Sequence, residues 1–510
     1  MRTASVIKSF KYGLFFSITI MVMTFFVRKV FFDTLGSALT GYYLLINQLL
    51  GFLNLAELGL GTASTYLLFK PLHEKDNLRL SVIFSAIRKI YRLVQLAIMI
   101  IGLAIAFALP FIVKNSIDLI DLYIPWILFV AATVISYSYS SESILLSADQ
   151  KLHYVRIING VGRITCFSVQ ILLLKFGFGF ILFSIIELLS NILQMFFFKK
   201  VVNRQYVLKK IPHADTHVDI KKSITQELKK TFIHKVSGVL IFNTDYLIIS
   251  FFLGLTFVTS YSSYIMLIQA VAFLITTISA PLNAALGNYL HDKGNTAAYN
   301  KFRKINAFFF FLATLFTFVY FVSVNDFIRL WLGESVLLQE KAVMLISINC
   351  FFLIARSAVD IFKVAYGYMS DIHLPILEGT LNLILSLILV KFAGIEGVII
   401  GTIISNLIII MLARPYYLYK HAFELCYDKL VKDYLIIWLP ALISLVTYYI
   451  AYIFLNRQTH IIKVEGFFSL IVNYSIVSAV AAVFTAIVFY LTSARFRELI
   501  KEDILKRYGK

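Results

Sequence analysis

Apolar runs of about 20 residues recur along this chain from one end to the other, separated by short polar segments. An α-helix rises about 1.5 Å per residue, so ~20 residues cross the ~30 Å hydrocarbon of a bilayer. Backbone N–H and C=O groups in hydrocarbon must be satisfied internally, which leaves helices and closed barrels as the only spanning structures. Barrel strands run about 10 residues with alternating polarity, and no such alternation is present. The sequence therefore reads as an all-α membrane protein. Composition agrees, since 60% of the residues are hydrophobic and 47 are Phe, against roughly 45–50% apolar residues in ordinary soluble domains.

About fourteen transmembrane helices fit the pattern, among them span 3 near 90–113, span 4 near 122–147, span 9 near 305–325 and span 10 near 342–366. The first run, near 11–34, has no short apolar core ending in a small-residue cleavage site, so a span is expected there rather than a removed leader. The three cysteines are too few for a disulfide framework, and they are expected in the core. The formal charge of +19 matters through its distribution. Assigned to the nearest span ends, 37 of the 47 Lys and Arg fall on the N-terminal side of the membrane and nine on the other, with Arg356 inside a span. Basic residues favour cytoplasmic segments, so both termini are expected in the cytoplasm. A basic linker at 199–232 joins the two halves and reads as a solvated segment near anionic headgroups.

Those halves are visible as a repeat. "HEKDN" at His73–Asn77 returns as "HDKGN" at His291–Asn295, 218 residues later. "LG" at Leu35–Gly36 returns at Leu253–Gly254, "KFGFG" at Lys175–Gly179 as "KFAGI" at Lys391–Ile395, and "SN" at Ser190–Asn191 at Ser405–Asn406. Six spans per half is an even number, so both halves enter the membrane from the same side as parallel repeats. Transporters built from repeats bind substrate between the halves near the midplane and rock one against the other. The expected organisation is an N-lobe at 1–198, the linker at 199–232, a C-lobe at 233–420 around a central cavity, and an added helix pair with a cytoplasmic tail at 421–510.

The first hairpin, "LGSALTGYYLLINQLLGFLNLAELGLGTA" at Leu35–Ala63, resembles the signature of bacterial polysaccharide flippases of the O-antigen type. "DYLIISFFLGLTFVTSY" at Asp245–Tyr261 is similar to that family's span-7 pattern of Asp, LG and Tyr. The resemblance covers the twelve-span core. The wider exporter superfamily also holds the MATE drug exporters and the lipid II flippases. The resemblance implies an inner-membrane transporter that moves an oligosaccharide on undecaprenyl pyrophosphate to the outer leaflet, for O-antigen, other lipopolysaccharide or exopolysaccharide synthesis. A polysaccharide polymerase and a chain-length regulator are the protein partners it suggests. A MATE-like exporter of drugs or other small molecules is the alternative.

Ionisable groups at membrane depth are costly and face a cavity or one another. Arg163 in span 5 and Glu187 in span 6 lie at similar depth, either as a structural pair or with Arg163 as a lumen cation. Arg28 and Lys29 lie about seven residues before the first "LG" and Asp245 eight before the second, nearly equivalent depths, so the cations and the acid either pair across the two halves or serve separately in packing and snorkelling. Arg356, Asp360 and Lys363 share one helix face, as an internal ion pair or as a cavity wall. Glu57 lies beside Gly59 and Gly61, glycines suited to close helix packing. Glu142 and Glu378 lie toward inner span ends, where Glu142 has Arg156 as a potential partner. A pyrophosphate head needs cations, guanidinium above all. Arg28, Lys29, Arg163 and Arg356 are the candidates for it. Asp245, Glu57 and Asp360 are the candidates for coupling to an ion gradient or for gating, since burial favours the protonated form of an acid.

No phosphate-binding G-x-x-x-x-G-K-[ST] loop and no H-E-x-x-H pair is present, and the nine histidines show no metal spacing. No cofactor, metal or nucleic-acid partner is expected, and no catalytic residue. An integral-membrane glycosyltransferase would need a larger extracellular loop than the outer segments provide. The orientation is testable with a reporter phosphatase that is active only outside the cytoplasm. Fusions ending at Asp76 and Gln150 should be inactive and one ending at Asp118 active; the opposite pattern would invert the assignment.

Overall fold

The computed structural model describes residues 2–54, 60–114, 117–208, 244–367, 373–458 and 466–501, and every regular element among them is helical. Two compact units divide the chain, Met1–Thr259 and Ser260–Lys510. The first contains α1 (Arg2–Leu53), α2 (Leu60–Glu74), α3 (Asn77–Val113), α4 (Leu119–Ser138), α5 (Ser140–Ala148), α6 (Leu152–Lys175), α7 (Phe180–Gln205) and α8 (Thr244–Leu253). The second contains most of α9 (Leu255–Leu332), then α10 (Glu340–Ala355), α11 (Ser357–Ala365), α12 (His373–Ser405), α13 (Arg414–Ala422), α14 (Tyr427–Gln458), α15 (Phe467–Thr492) and α16 (Ala494–Glu498). Eleven helical stretches are long and apolar enough to cross a membrane. Two of them, Lys8–Leu53 and His373–Ala422, each break at a glycine with non-helical backbone, Gly36 and Gly394, and so hold two spans apiece. Counted with these breaks, the stretches correspond to thirteen of the fourteen expected spans; of span 7, expected at 233–253, the described residues include only α8.

The sequence echoes mark where helices must stop. A sharp reversal between helices needs a left-handed residue, which glycine adopts without steric cost. The first half has positive φ at Gly36, Lys75, Lys114, Gln150 and Gly177; the second has it at Gly254, Gly294, Gly333, Gly367 and Gly394. Paired in order, these residues lie 217 to 219 apart, so the same five reversals punctuate both halves. Among the described residues only Glu424, at the entry to the added helix pair, falls outside the scheme.

The phrase expected as a cytoplasmic loop is a tight turn instead. α2 ends at Glu74 and α3 begins at Asn77, where the Asp76 carboxylate accepts from the N–H groups of Leu78 (3.0 Å) and Arg79 (2.9 Å). This cap starts α3 well before the expected entry near residue 90, and the polar first turns of the helix stand outside the apolar stretch. α7 likewise continues to Gln205, beyond the expected start of the linker, most of which lies outside the described residues. Spans 4 and 10 are each interrupted once, at Tyr139 and at Arg356, 217 residues apart.

Residues 244–259, the opening of the second sequence half, sit in the first unit. The Thr259 hydroxyl donates to the Ser37 carbonyl (2.7 Å) and Ser250 to that of Ile112 (3.1 Å). Within the second unit the added pair is anchored by polar contacts. Asp433 of α14 pairs with Arg303 (3.0 Å) and accepts from Tyr299 and Tyr419, and Tyr474 of α15 donates to Asp326 (2.5 Å). Cys166 and Cys350 are buried as expected, whereas Cys426 is exposed, because it lies in the turn before α14.

Gly41 allows the closest approach in the first unit, since a Cβ there would lie 2.0 Å from the Leu255 carbonyl oxygen, which is backbone and cannot swing away. Gly41→Ala should cost about 1–3 kcal/mol by overpacking and lower the melting midpoint in detergent by several degrees. Gly179→Ala, where a Cβ meets nothing within 4 Å, should leave it unchanged. Equal midpoints would contradict the close approach.

Candidate functional site

The tight turn at Gly177 folds α6 and α7 against each other, so residues on their facing sides meet at matched depth. Arg163 Nη1 lies 2.5 Å from Glu187 Oε1, with the side chains 33% and 13% exposed. The other Glu187 oxygen faces Gln170 Nε2 (3.4 Å) and Cys166 Sγ (3.5 Å), and the guanidinium lies 4.3 Å from the centroid of the Phe167 ring. Burial strips both charges of water, and only mutual contact plus further hydrogen bonds offsets that cost. The remaining Arg163 N–H groups have no protein acceptor among the described residues. Tyr43 of α1 lies in the field of both Arg163 and Arg28, and Arg28 in turn neighbours Tyr246 of α8. At the interruption between α4 and α5, the Tyr139 hydroxyl donates to Asn191 Oδ1 of α7 (3.1 Å). A polar seam thus crosses the interior of the first unit.

The second unit holds a linear cluster of four charges. Arg356, at the interruption between α10 and α11, donates from Nε to Asp360 Oδ2 (2.7 Å). The other Asp360 oxygen is 3.5 Å from Arg414 Nη1, and Arg414 Nη2 donates to Glu378 Oε2 (2.7 Å). Glu378 and Arg414 are 1% and 9% exposed, and two guanidiniums balance two carboxylates. Between Ser405 and Arg414 the helix changes to a π-type run, Asn406–Ala413. Each π turn takes up one residue more than an α turn, so it re-aims the residues that follow. The terminal nitrogens of Arg356 have no protein acceptor among the described residues.

Of the four cations nominated from sequence, three carry a carboxylate within 2.8 Å. Lys29 takes Asp33 on its own helix (2.8 Å), Arg163 takes Glu187 and Arg356 takes Asp360. The partner envisaged for the Arg28–Lys29 pair, Asp245, is 4% exposed on α8. Glu57 lies outside the described residues. Glu142 pairs with Arg88 (2.6 Å) rather than Arg156, because the early start of α3 brings Arg88 against α5, where the Ser141 hydroxyl also donates to Glu142 (2.7 Å). Glu142 lies three residues after the first interruption and Asp360 four after the second, and each is held by arginine. Sequence reasoning misses Arg414; the available signal is that it and Glu378 flank the Gly394 turn at comparable distances. Among the described residues no three His, Cys, Asp or Glu side chains are grouped to hold a metal.

No family model matches the chain, and no curated protein sequence does. Solved structures do. The chain is similar to the lipid II flippase MurJ in an inward closed conformation, at 15% identity and a TM-score of 0.69, over 94% of this chain and 99% of that one. It is similar to an inward-facing multidrug-resistance MATE transporter of the MOP superfamily, at 13% identity and 0.61, over 78% and 93%. The Vibrio cholerae MATE transporter VcmN aligns at 14% identity and 0.53, over 83% and 99%. The chain is a multi-pass membrane protein with the fold of MOP-superfamily transporters.

The Glu378–Arg414 pair is the most deeply buried of these contacts and sets a stability test. Arg414→Ala leaves the Glu378 carboxylate buried and unpaired, a change that costs about 3–5 kcal/mol. The double substitution Arg414→Met with Glu378→Leu should recover most of the loss, read as the melting midpoint of the purified protein. A single variant as stable as the parent would show that the pair does not form.

Proposed function

We propose that the chain is a flippase for lipid-linked oligosaccharides, carrying sugar units on undecaprenyl pyrophosphate from the cytoplasmic to the outer leaflet of a bacterial inner membrane for O-antigen or another surface polysaccharide. The observation that carries this reading is the extent of the likeness to the lipid II flippase, 94% of this chain against 78% for the first MATE structure. The first-hairpin and span-7 patterns point the same way. A small-molecule exporter of the MATE type is the second reading, supported by the MATE likenesses.

In this proposal the spare faces of Arg163 in the first unit and of Arg356 in the second each supply a contact for phosphate oxygens at some stage of the cycle. A guanidinium that gives one edge to a carboxylate can still present another to phosphate oxygens. Each carboxylate partner holds its cation in place and keeps the interior from carrying uncompensated charge between cycles. Arg28 extends the seam beside Tyr43, while Lys29, tied to Asp33, has the weaker claim. Asp245 is the preferred coupling acid, and Asp360, bridged by two arginines, is assigned to gating. A polymerase and a chain-length regulator would act on the product in the outer leaflet.

The test is transport in vesicles that carry a fluorescent oligosaccharide on undecaprenyl pyrophosphate in one leaflet. The parent protein should expose the sugar to an impermeant quencher on the opposite side. Arg163→Ala and Arg356→Ala should slow this at least about tenfold, the loss of one charge-assisted contact, with insertion unchanged. Export of cationic dyes without movement of the lipid-linked sugar would favour the second reading.

A further inference from the structure

A second polar site lies inside the first unit, apart from the Arg163–Glu187 pair. A cavity of about 320 Å³ is lined by Arg88, Arg92 and Gln95 of α3, Ser138 and Ser141 at the interruption of span 4, and Lys199 near the end of α7. Ligand sites begin at about this size. Of its three cations, Arg88 is bound to an acid, Glu142, which is 1% exposed. Arg92 and Lys199 have no acidic partner among the described residues, and the buried Ser138 hydroxyl has no hydrogen-bond partner there. Gln95 is fixed by donating to the Val134 carbonyl (2.8 Å). The site thus keeps an excess of two positive charges and hydroxyls beside them, the groups that bind phosphate oxygens.

The second half of the repeat does without four of these residues. At the matching positions of the second half stand Ala307 for Arg88, Phe311 for Arg92, Ala355 for Ser138 and Ala358 for Ser141. Phe311 is covered there by the rings of Phe489 (5.8 Å) and Phe496 (5.1 Å) from the added helices. Four of the lining positions are therefore apolar in the second half, whereas Thr314 stands for Gln95, and Arg414, paired with Glu378, for Lys199.

We propose that this cavity binds a phosphate-bearing anion, at the end of spans 3, 4 and 6 that the Lys and Arg bias assigns to the cytoplasm. Anionic lipid headgroups and soluble phosphates share the required chemistry. The site is separate from the proposed transport cations, so binding here is measured without transport.

The experiment uses the full chain in phosphatidylcholine nanodiscs titrated with radiolabelled pyrophosphate, and in parallel native mass spectrometry after exposure to phosphatidylglycerol vesicles. The parent should bind at least one probe. Arg92→Ala with Lys199→Ala should weaken that binding at least about tenfold, while Arg92→Lys with Lys199→Arg should retain it. Arg92→Gln alone supplies a milder variant should the double one elute as aggregate. Pyrophosphate binding alone assigns a soluble phosphate, and retained phosphatidylglycerol alone assigns a lipid headgroup. No binding of either probe to the parent, or parental binding by the folded alanine variant, overturns the proposal.

Discussion

Hydrocarbon leaves a backbone no partner but itself, and the rest of this structure follows from that constraint. Once every span must be helical, the information in the sequence is concentrated where helices end. Five left-handed reversals recur in both halves, and at three of them, Gly36/Gly254, Lys75/Gly294 and Gly177/Gly394, the two sequences also read alike. The intervening spans differ between the halves while remaining apolar, because many apolar residues satisfy a lipid-facing or core position. Glycine holds all five reversals in the second half, while Lys75, Lys114 and Gln150 hold three of them in the first. The framework fixes the turn, and the residue that adopts it can vary.

The same medium governs the charges. An isolated ion in the interior costs several kcal/mol or more, and three arginines of the described interior are found with carboxylates: Arg163 with Glu187, Arg356 with Asp360, Arg414 with Glu378. At these three places the charge is compensated, with guanidinium edges left over on Arg163 and Arg356 among the described residues. Such a surface can meet an anionic headgroup without carrying a standing charge when empty.

Much of this is legible in the residues themselves. Hydropathy marks the spans, the basic-residue asymmetry suggests an orientation, and short echoes reveal the repeat. The Arg356–Asp360 pair is readable from its i, i+4 spacing and Arg163–Glu187 from matched depth. Glu378–Arg414 is not, because its partners are 36 residues apart in adjacent antiparallel spans, where register depends on the Gly394 turn and on the π-type run. Nor does the sequence assign Arg88 an acid, because the Asp76 cap, which starts α3 early, looks like part of a loop. Side-chain direction near helix ends depends on caps and kinks, and hydropathy does not report on either.

The π-type run Asn406–Ala413 also ties backbone geometry to charge. Were it to tighten to ordinary α geometry, the segment beyond would rotate about its axis and carry the Arg414 guanidinium away from Glu378. The wide turn thus sets the rotational register at which the last span of the repeat delivers Arg414 to its acid, so a change of one residue's worth of winding there is read out as a broken ion pair.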